Sequence, residues 1–235
     1  KLDEESLAQG IFEKMYNMFP DDNKHRLTIQ YRMHPTIGTL ISHVFYNDEI
    51  QNGVEAQDRE LCIEGYEDTA IEWISTSKRS SKERYEKVFD NNGKKSYQNY
   101  LERNIIERKL LELDSKLVKR TKVAVITGYG PQKYILQTMV KQHSYKNLEI
   151  DVDTVDAFQG SQKDIILYST VRSSANKYGI GFLKSEARIN VAFSRARCLL
   201  IIVGDMNFLD NYRIRGNKFP EIIKYIKESE GCRII

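Results

Sequence analysis

"KVAVITGYGPQKYILQTMVKQH" occupies residues 122–143, and its two halves read differently. "KVAVITG" is a short apolar run with β-branched residues, the pattern of a strand covered on both faces. "PQKYILQTMVKQH" has helical spacing, with Pro131 near its first turn, where a missing N–H costs nothing. Strand and helix alternate through the rest of the chain. Downstream come a short strand around "IDVDTV" (150–155), a helical turn and the strand "DIILYSTVR" (164–172). The helix "SEARINVAFSRAR" (185–197), the strand "CLLIIVGD" (198–205) and the closing helix "PEIIKYIKES" (220–229) follow. Upstream, "NYLERNIIERKLLELDSKLV" (99–118) reads as an amphipathic helix and "AIEWIS" (70–75) as a strand. Pro35 opens a helix after the short strand "HRLTIQY" (25–31), and "SLAQGIFEKMYNMF" (6–19) is a helix capped by Ser6. The expected fold is α/β, a mostly parallel sheet with helices on both faces. Ligands of such sheets are expected beyond the carboxyl ends of the strands.

Two stretches break the rhythm. Residues 47–70 are polar and loop-like. Residues 76–98, "TSKRSSKERYEKVFDNNGKKSYQ", are the most hydrophilic part and are expected to form an exposed loop or insertion. Their "NNGKKS" is no phosphate-binding P-loop: GxxxxGK[ST] needs Gly at 88 and Ser or Thr at 95, where Val88 and Lys95 stand. "GYGPQK" likewise fails as a dinucleotide fingerprint, because Lys133 replaces the last glycine.

The chain is long enough for a sizeable core. Its net charge of +3 does not by itself name a nucleic-acid partner. Three cysteines without CxxC spacing argue against a disulfide framework or zinc site, so a reducing, intracellular setting is expected. No run is long enough to span a bilayer, and no membrane partner is expected. The first residue is not Met, and a piece of a longer protein is expected.

Four polar constellations carry chemistry. In "TIQYRMHPTIG" (28–38) an aromatic ring and a permanent positive charge, Tyr31 and Arg32, meet at a strand end; a phosphate-bearing aromatic ligand gives them a reason to be adjacent. In "VDTVDAFQGSQKDIIL" (152–167) Thr154, Asp156, Gln159 and Gly160 fill a polar connection, with Gly160 free to take a positive φ. "TGYGPQ" (127–132) is a strand end before a helix N-terminus, a place that favours anions. In "ARINVAFSRAR" Arg188 and Arg195 share a helical face, and Arg197 points away. His34 is expected to be a structural hydrogen bonder. Trp73, Phe158 and Phe193 are expected in the core, and "SKRSSKER" (77–84) as a solvated loop.

Taken together and in this order, "QYRMHP", "VDTVDAFQGSQKDIIL", "GIGFLKSEARINVAFSRAR" and "LLIIVGD" resemble the second RecA-like domain of a superfamily 1 helicase. The branch is that of the nonsense-mediated-decay helicase and the senataxin-like RNA/DNA helicases. The resemblance covers nearly the whole chain and is weakest over 47–98. It implies a RecA-like, P-loop NTPase-type fold that lacks its own P-loop, forming one domain over 1–235 with a lead-in helix over 1–26. It implies that Tyr31 stacks on adenine, that Arg32 contacts the γ-phosphate of ATP, and that Arg195 is the arginine finger. Gln159, Gly160 and Gln162 would belong to the nucleotide side. Asp156, Thr127, Gln132 and Thr154 would line the nucleic-acid track. One departure stands out, since the family commonly has Glu where this chain has Gln162.

By the same resemblance the cofactors are ATP and Mg²⁺, bound mainly through an upstream RecA-like domain that carries the P-loop and the acidic metal-binding motif. No residue of this chain is expected to ligate the metal. The expected partners are that upstream domain and single-stranded RNA or DNA, with a monomeric protein and an isolated domain that does not turn over ATP. A non-catalytic, helicase-derived binding scaffold is the alternative, supported by Gln162.

Overall fold

The computed structural model describes residues 16, 18–25, 27–91, 94–158, 160–175, 179–211 and 213–235. Most of the helix expected over 6–19 lies outside the described residues. At the centre is a six-stranded sheet ordered β10–β3–β9–β8–β6–β7, in which every neighbouring pair is parallel. Its strands are β3 (Ile71–Ser75), β6 (Thr121–Thr127), β7 (Leu148–Thr154), β8 (Lys163–Ser169), β9 (Ala196–Gly204) and β10 (Cys232–Ile234).

Alternate side chains along each strand enter opposite cores, because successive Cβ atoms of a strand point to opposite faces. Trp73, Ile126, Tyr168 and Ile202 face α1 (Pro35–Phe45), α5 (Glu186–Phe193) and α7 (Phe219–Glu228). Ile74, Val125, Leu167 and Ile201 face α3 (Tyr100–Lys116) and α4 (Gly130–Lys141). Ile37, Leu40, Ile41 and Val44 of α1 and Ile106, Leu110 and Leu113 of α3 are buried at helical spacing. The α/β reading with helices on both faces therefore holds. Trp73, Phe158 and Phe193 are core residues as expected; the Trp73 indole N–H donates to the carbonyl of Gly204.

Four expectations are corrected. The helix begun at Glu186 ends at Phe193, and β9 already starts at Ala196. Arg195 thus lies in the turn between them and Arg197 in the strand, so the shared helical face of Arg188 and Arg195 does not exist. Pairing to β8 outweighs local helical spacing there: the N–H of Lys163 donates to the carbonyl of Arg195. Next, residues 76–98 are no bare loop. They hold a helical turn, α2 (Ser81–Arg84), and an antiparallel hairpin of β4 (Lys87–Asn91) and β5 (Lys94–Gln98).

The expected strand over 25–31 is only β1 (Ile29–Gln30), which pairs with β2 (Gln51–Asn52) inside the supposedly loop-like 47–70. Finally, the expected strand over 164–172 ends at Ser169, and Val171 adopts a positive φ of 69°. That conformation is strained for a β-branched residue. It is held because the Val171 N–H donates to Glu102 and the Val171 carbonyl accepts from Asn99. A short helix, α6 (Met206–Leu209), follows β9. Among the described residues no helix is long and apolar enough to cross a membrane.

Candidate functional site

The polar constellations separate to opposite edges of the sheet. At the amino edge, the N–H of His34 donates to the carbonyl of Arg197 at the start of β9. That bond brings the segment Tyr31–His34 beside the turn that carries Arg195. His34 itself is the N-cap of α1, its Nδ1 accepting from the N–H of Thr36 at 3.2 Å. Burial lowers its pKa, with Glu60 opposing, which keeps the ring neutral and able to accept.

Arg32 is half-buried and donates from Nη1 to the carbonyl of Ser194 at 3.2 Å. Arg195, the next residue along, donates from Nη1 to the carbonyl of Ser161 at 3.3 Å, while its Nε is buried and has no hydrogen-bond partner among the described residues. Burial first, and the Arg32 guanidinium second, pull the Arg195 pKa below its ordinary value. Two like charges are therefore held together, and among the described residues neither guanidinium has a carboxylate within ion-pair distance. Tyr31 stands beside them with 64% of its surface exposed, an open ring face.

Side chains from the 47–70 segment build the seat of Tyr31 and Arg32. Arg59 donates from Nη2 to the carbonyl of Tyr31 at 2.6 Å and from Nε to the carbonyl of Arg32 at 2.8 Å. Gln30 accepts on Oε1 from the N–H groups of Arg32 and Met33, and donates from Nε2 to Asn52. Gly53 lies under the Tyr31 ring, where a Cβ would come within 2.4 Å of a ring carbon. None of Gln30, Gly53 and Arg59 is visible to periodicity, since each acts through one side chain or its lack. The polar string "QNGVEAQDRE" (51–60) is the only signal in the sequence.

At the carboxyl edge the picture differs. Thr127 ends β6 and Thr154 ends β7, in register with each other. Thr154 is half-exposed, but Thr127 is fully buried, its Oγ1 without a partner among the described residues. Gln132 is also fully buried. It accepts from the N–H of Asn99 at 2.7 Å and donates to the carbonyl of Asn99 and to Ser169 Oγ. Its amide is consumed by the core, so it braces α3 against β8 and does not face a strand of nucleic acid. Asp156 is exposed and accepts two hydrogen bonds from Arg188, at 3.0 and 3.2 Å. Arg188 also stacks over Phe182, 4.5 Å from the ring centroid.

The segment 155–162 joins these edges. Because β7 and β8 are parallel, their connection must travel back along the sheet, from Asp156 at the carboxyl edge to Ser161 and the exposed Gln162 at the amino edge. Gly160 has φ +93° with open space around its α-carbon, so the turn needs its conformational freedom and not a close approach. Gln159 lies outside the described residues. Tyr31, Arg32, Gln162 and Arg195 thus lie at the amino edge, whereas the general expectation for such a sheet is a ligand beyond the carboxyl ends of the strands.

A family model described as "AAA domain" matches residues 7–207. A "Regulator of nonsense transcripts 1 homolog" of Neurospora crassa is 34% identical over 226 residues, covering 88% of this chain and 19% of that protein. "ATP-dependent helicase upf1" of Schizosaccharomyces pombe is 32% identical, covering 89% and 22%. "Helicase sen1" of the same yeast is also 32% identical, covering 89% and 12%. The chain spans about a fifth or less of the length of the curated relatives it matches.

Proposed function

The chain belongs to the AAA-domain family, as the C-terminal RecA-like domain of a superfamily 1 helicase of the nonsense-mediated-decay and senataxin-like branch, and from that premise we propose that it is the second motor domain of an ATP-dependent helicase or translocase on single-stranded RNA or DNA. The observation that carries this is the pair Arg32 and Arg195. Packing two guanidiniums side by side costs free energy through mutual repulsion and desolvation. An anion entering between them removes both penalties, and the planar fork of an arginine matches phosphate oxygens.

The donor set fits a nucleotide triphosphate. Arg195 keeps a buried Nε that has no partner among the described residues, Arg32 lies alongside, and the exposed Tyr31 ring offers a face to a purine. In this reading Tyr31 orients the base, Arg32 grips the terminal phosphate, and Arg195 is the arginine finger that meets the charge developing during phosphoryl transfer. ATP supplies the phosphoryl group that drives the motor, with its Mg²⁺ held mainly by an upstream RecA-like domain. Gly160 and Gln162, with Gln159, form the nucleotide end of the connecting segment. Thr154 and Asp156 form its nucleic-acid end, and the buried Thr127 backs that edge from below. Stress on one end of 155–162 is transmitted to the other, which is the coupling a translocase needs.

The test is ATP turnover by the full-length protein with and without single-stranded RNA and DNA, beside this chain alone. Stimulated turnover by the full-length protein and none by the isolated chain is expected, and the stronger stimulant identifies the track. A full-length protein that hydrolyses no ATP under any of these conditions overturns the motor reading in favour of the binding scaffold.

A further inference from the structure

One basic stretch of the chain folds into a compact module of its own. Residues 76–98 hold seven basic and three acidic residues, an excess of four, against +3 for the whole chain. The location of this module decides what its charge can do.

Buried ion pairs fasten it to the carboxyl edge. Arg84 pairs with Asp205, just after β9, at 3.0 Å. Glu86 accepts from Arg172 Nε at 3.3 Å and from the N–H of Ser173 at 2.7 Å, just after β8. The Arg172 guanidinium stacks 4.0 Å from the centroid of Tyr97 on β5, and Tyr97 meets Tyr129 edge-on at 5.4 Å. Arg84 and Glu86 are thus used internally. Lys78, Arg79, Lys82, Lys87 and Lys95 remain exposed. Of the other acids, Glu83 is occupied capping the turn at Ser80. Val88 and Phe89 on the same hairpin are also exposed, at 57% and 42%.

We propose that α2 and the β4–β5 hairpin form a second nucleic-acid contact, which binds the phosphate backbone where it passes beyond the carboxyl-edge track. The inference rests on the reading that this edge carries the strand. Three features together favour nucleic acid: a cluster of exposed cations, exposed aromatic and apolar groups among them, and continuity with the edge that ends in Thr154 and Asp156. The anchors make the module rigid with the sheet, so this contact moves with the domain.

The experiment uses the full-length protein and a fluorescent single-stranded oligonucleotide, with binding followed from 50 to 300 mM salt. The variant K78Q/R79Q/K82Q/K87Q touches none of the anchoring side chains. The slope of log affinity against log salt is expected to flatten by up to about 3, since each lost phosphate contact on a single strand is worth about 0.7. Phe89→Ala is expected to weaken binding by about tenfold with an unchanged slope. In the unmodified protein, the same oligonucleotide should protect Lys78, Lys82 and Lys87 from acetylation, a readout that depends on no variant. Tight binding with unchanged slope and unprotected lysines overturns the hairpin contact and leaves the track reading standing. Failure of the unmodified protein to bind at any salt overturns both. Protection of these lysines by an acidic polypeptide but not by the oligonucleotide overturns the proposal in favour of a protein partner.

Discussion

Arg32 reaches across the chain to the carbonyl of Ser194 and so lies beside Arg195, close enough for its charge to lower the Arg195 pKa. Neither residue alone distinguishes itself from a surface arginine. Together they form a cationic gap with a buried donor that has no partner among the described residues, and each functional expectation at the amino edge follows from that gap.

Replacing Arg195 with Ala in the full-length protein should cost about 10³- to 10⁵-fold in ATP turnover, the range for removing an arginine finger. Nucleic-acid affinity should change little, because the carboxyl edge is untouched. Steady-state ATPase and oligonucleotide titration on the same sample check both halves, and unchanged turnover would exclude the finger role.

Arg59 touches neither the ring of Tyr31 nor the guanidinium of Arg32, but it holds both of their carbonyls. Arg59→Ala should raise the KM for ATP by about 10- to 100-fold, as expected for charged hydrogen bonds of about 1.5–3 kcal/mol, with kcat largely kept. Arg59→Lys should recover only part of this, since an ammonium cannot span two carbonyls with the same fork. Equal losses in KM and kcat for the two variants would contradict the positioning role.

Gly53→Ala places a methyl group where the Tyr31 ring rests. The ring must move, so affinity for ATP should fall while affinity for inorganic tripolyphosphate stays constant. Isothermal titration with both ligands separates base from phosphate recognition. A parallel loss for both would mean that the change spreads to Arg32.

Glu102 is wholly buried, accepting from Ser169, Thr170 and the N–H of Val171, and burial pushes its pKa up to about 8. The folded chain then retains a proton that the unfolded chain has lost above about pH 4.5. Fewer protons in the unfolded state make stability fall as pH rises from about 4.5 to 8. Glu102→Gln can keep these contacts by turning the Thr170 hydroxyl, and its stability should lack this component of the decline. Denaturant melts of both proteins at pH 5 and pH 8 measure it; parallel curves would refute the raised pKa.

The sheet was legible because "KVAVITG", "DIILYS" and "CLLIIVG" are short, mostly apolar runs with β-branched residues between helical patterns, as strands buried on both faces require. Arg195 was found but misplaced, since helical spacing persists through Arg197 while ladder pairing stops the helix at Phe193. The hairpin was hidden by its composition. It is fastened to the sheet through Arg84–Asp205 and Glu86–Arg172, contacts to residues far along the chain that no local pattern reports. Gln132 matched a family position, yet only the packed structure showed its amide spent on Asn99 and Ser169. Arg59 and Gly53 act through one hydrogen-bonded fork and one missing methyl group, which leave no periodic trace.

The strand order has a consequence for biosynthesis. β3 is flanked by β9 and β10, so Trp73 lies opposite Ile202 and Ile234 and cannot pair until those residues have been made. At about 5–20 residues per second, a ribosome needs roughly 6–30 s to get from one to the other. During that interval β3 and the apolar face of α1 have no docking partner and are natural clients for chaperones. Tyr31 and Arg32 ride on this late-docking section, so the paired arginines come together only near the end of folding.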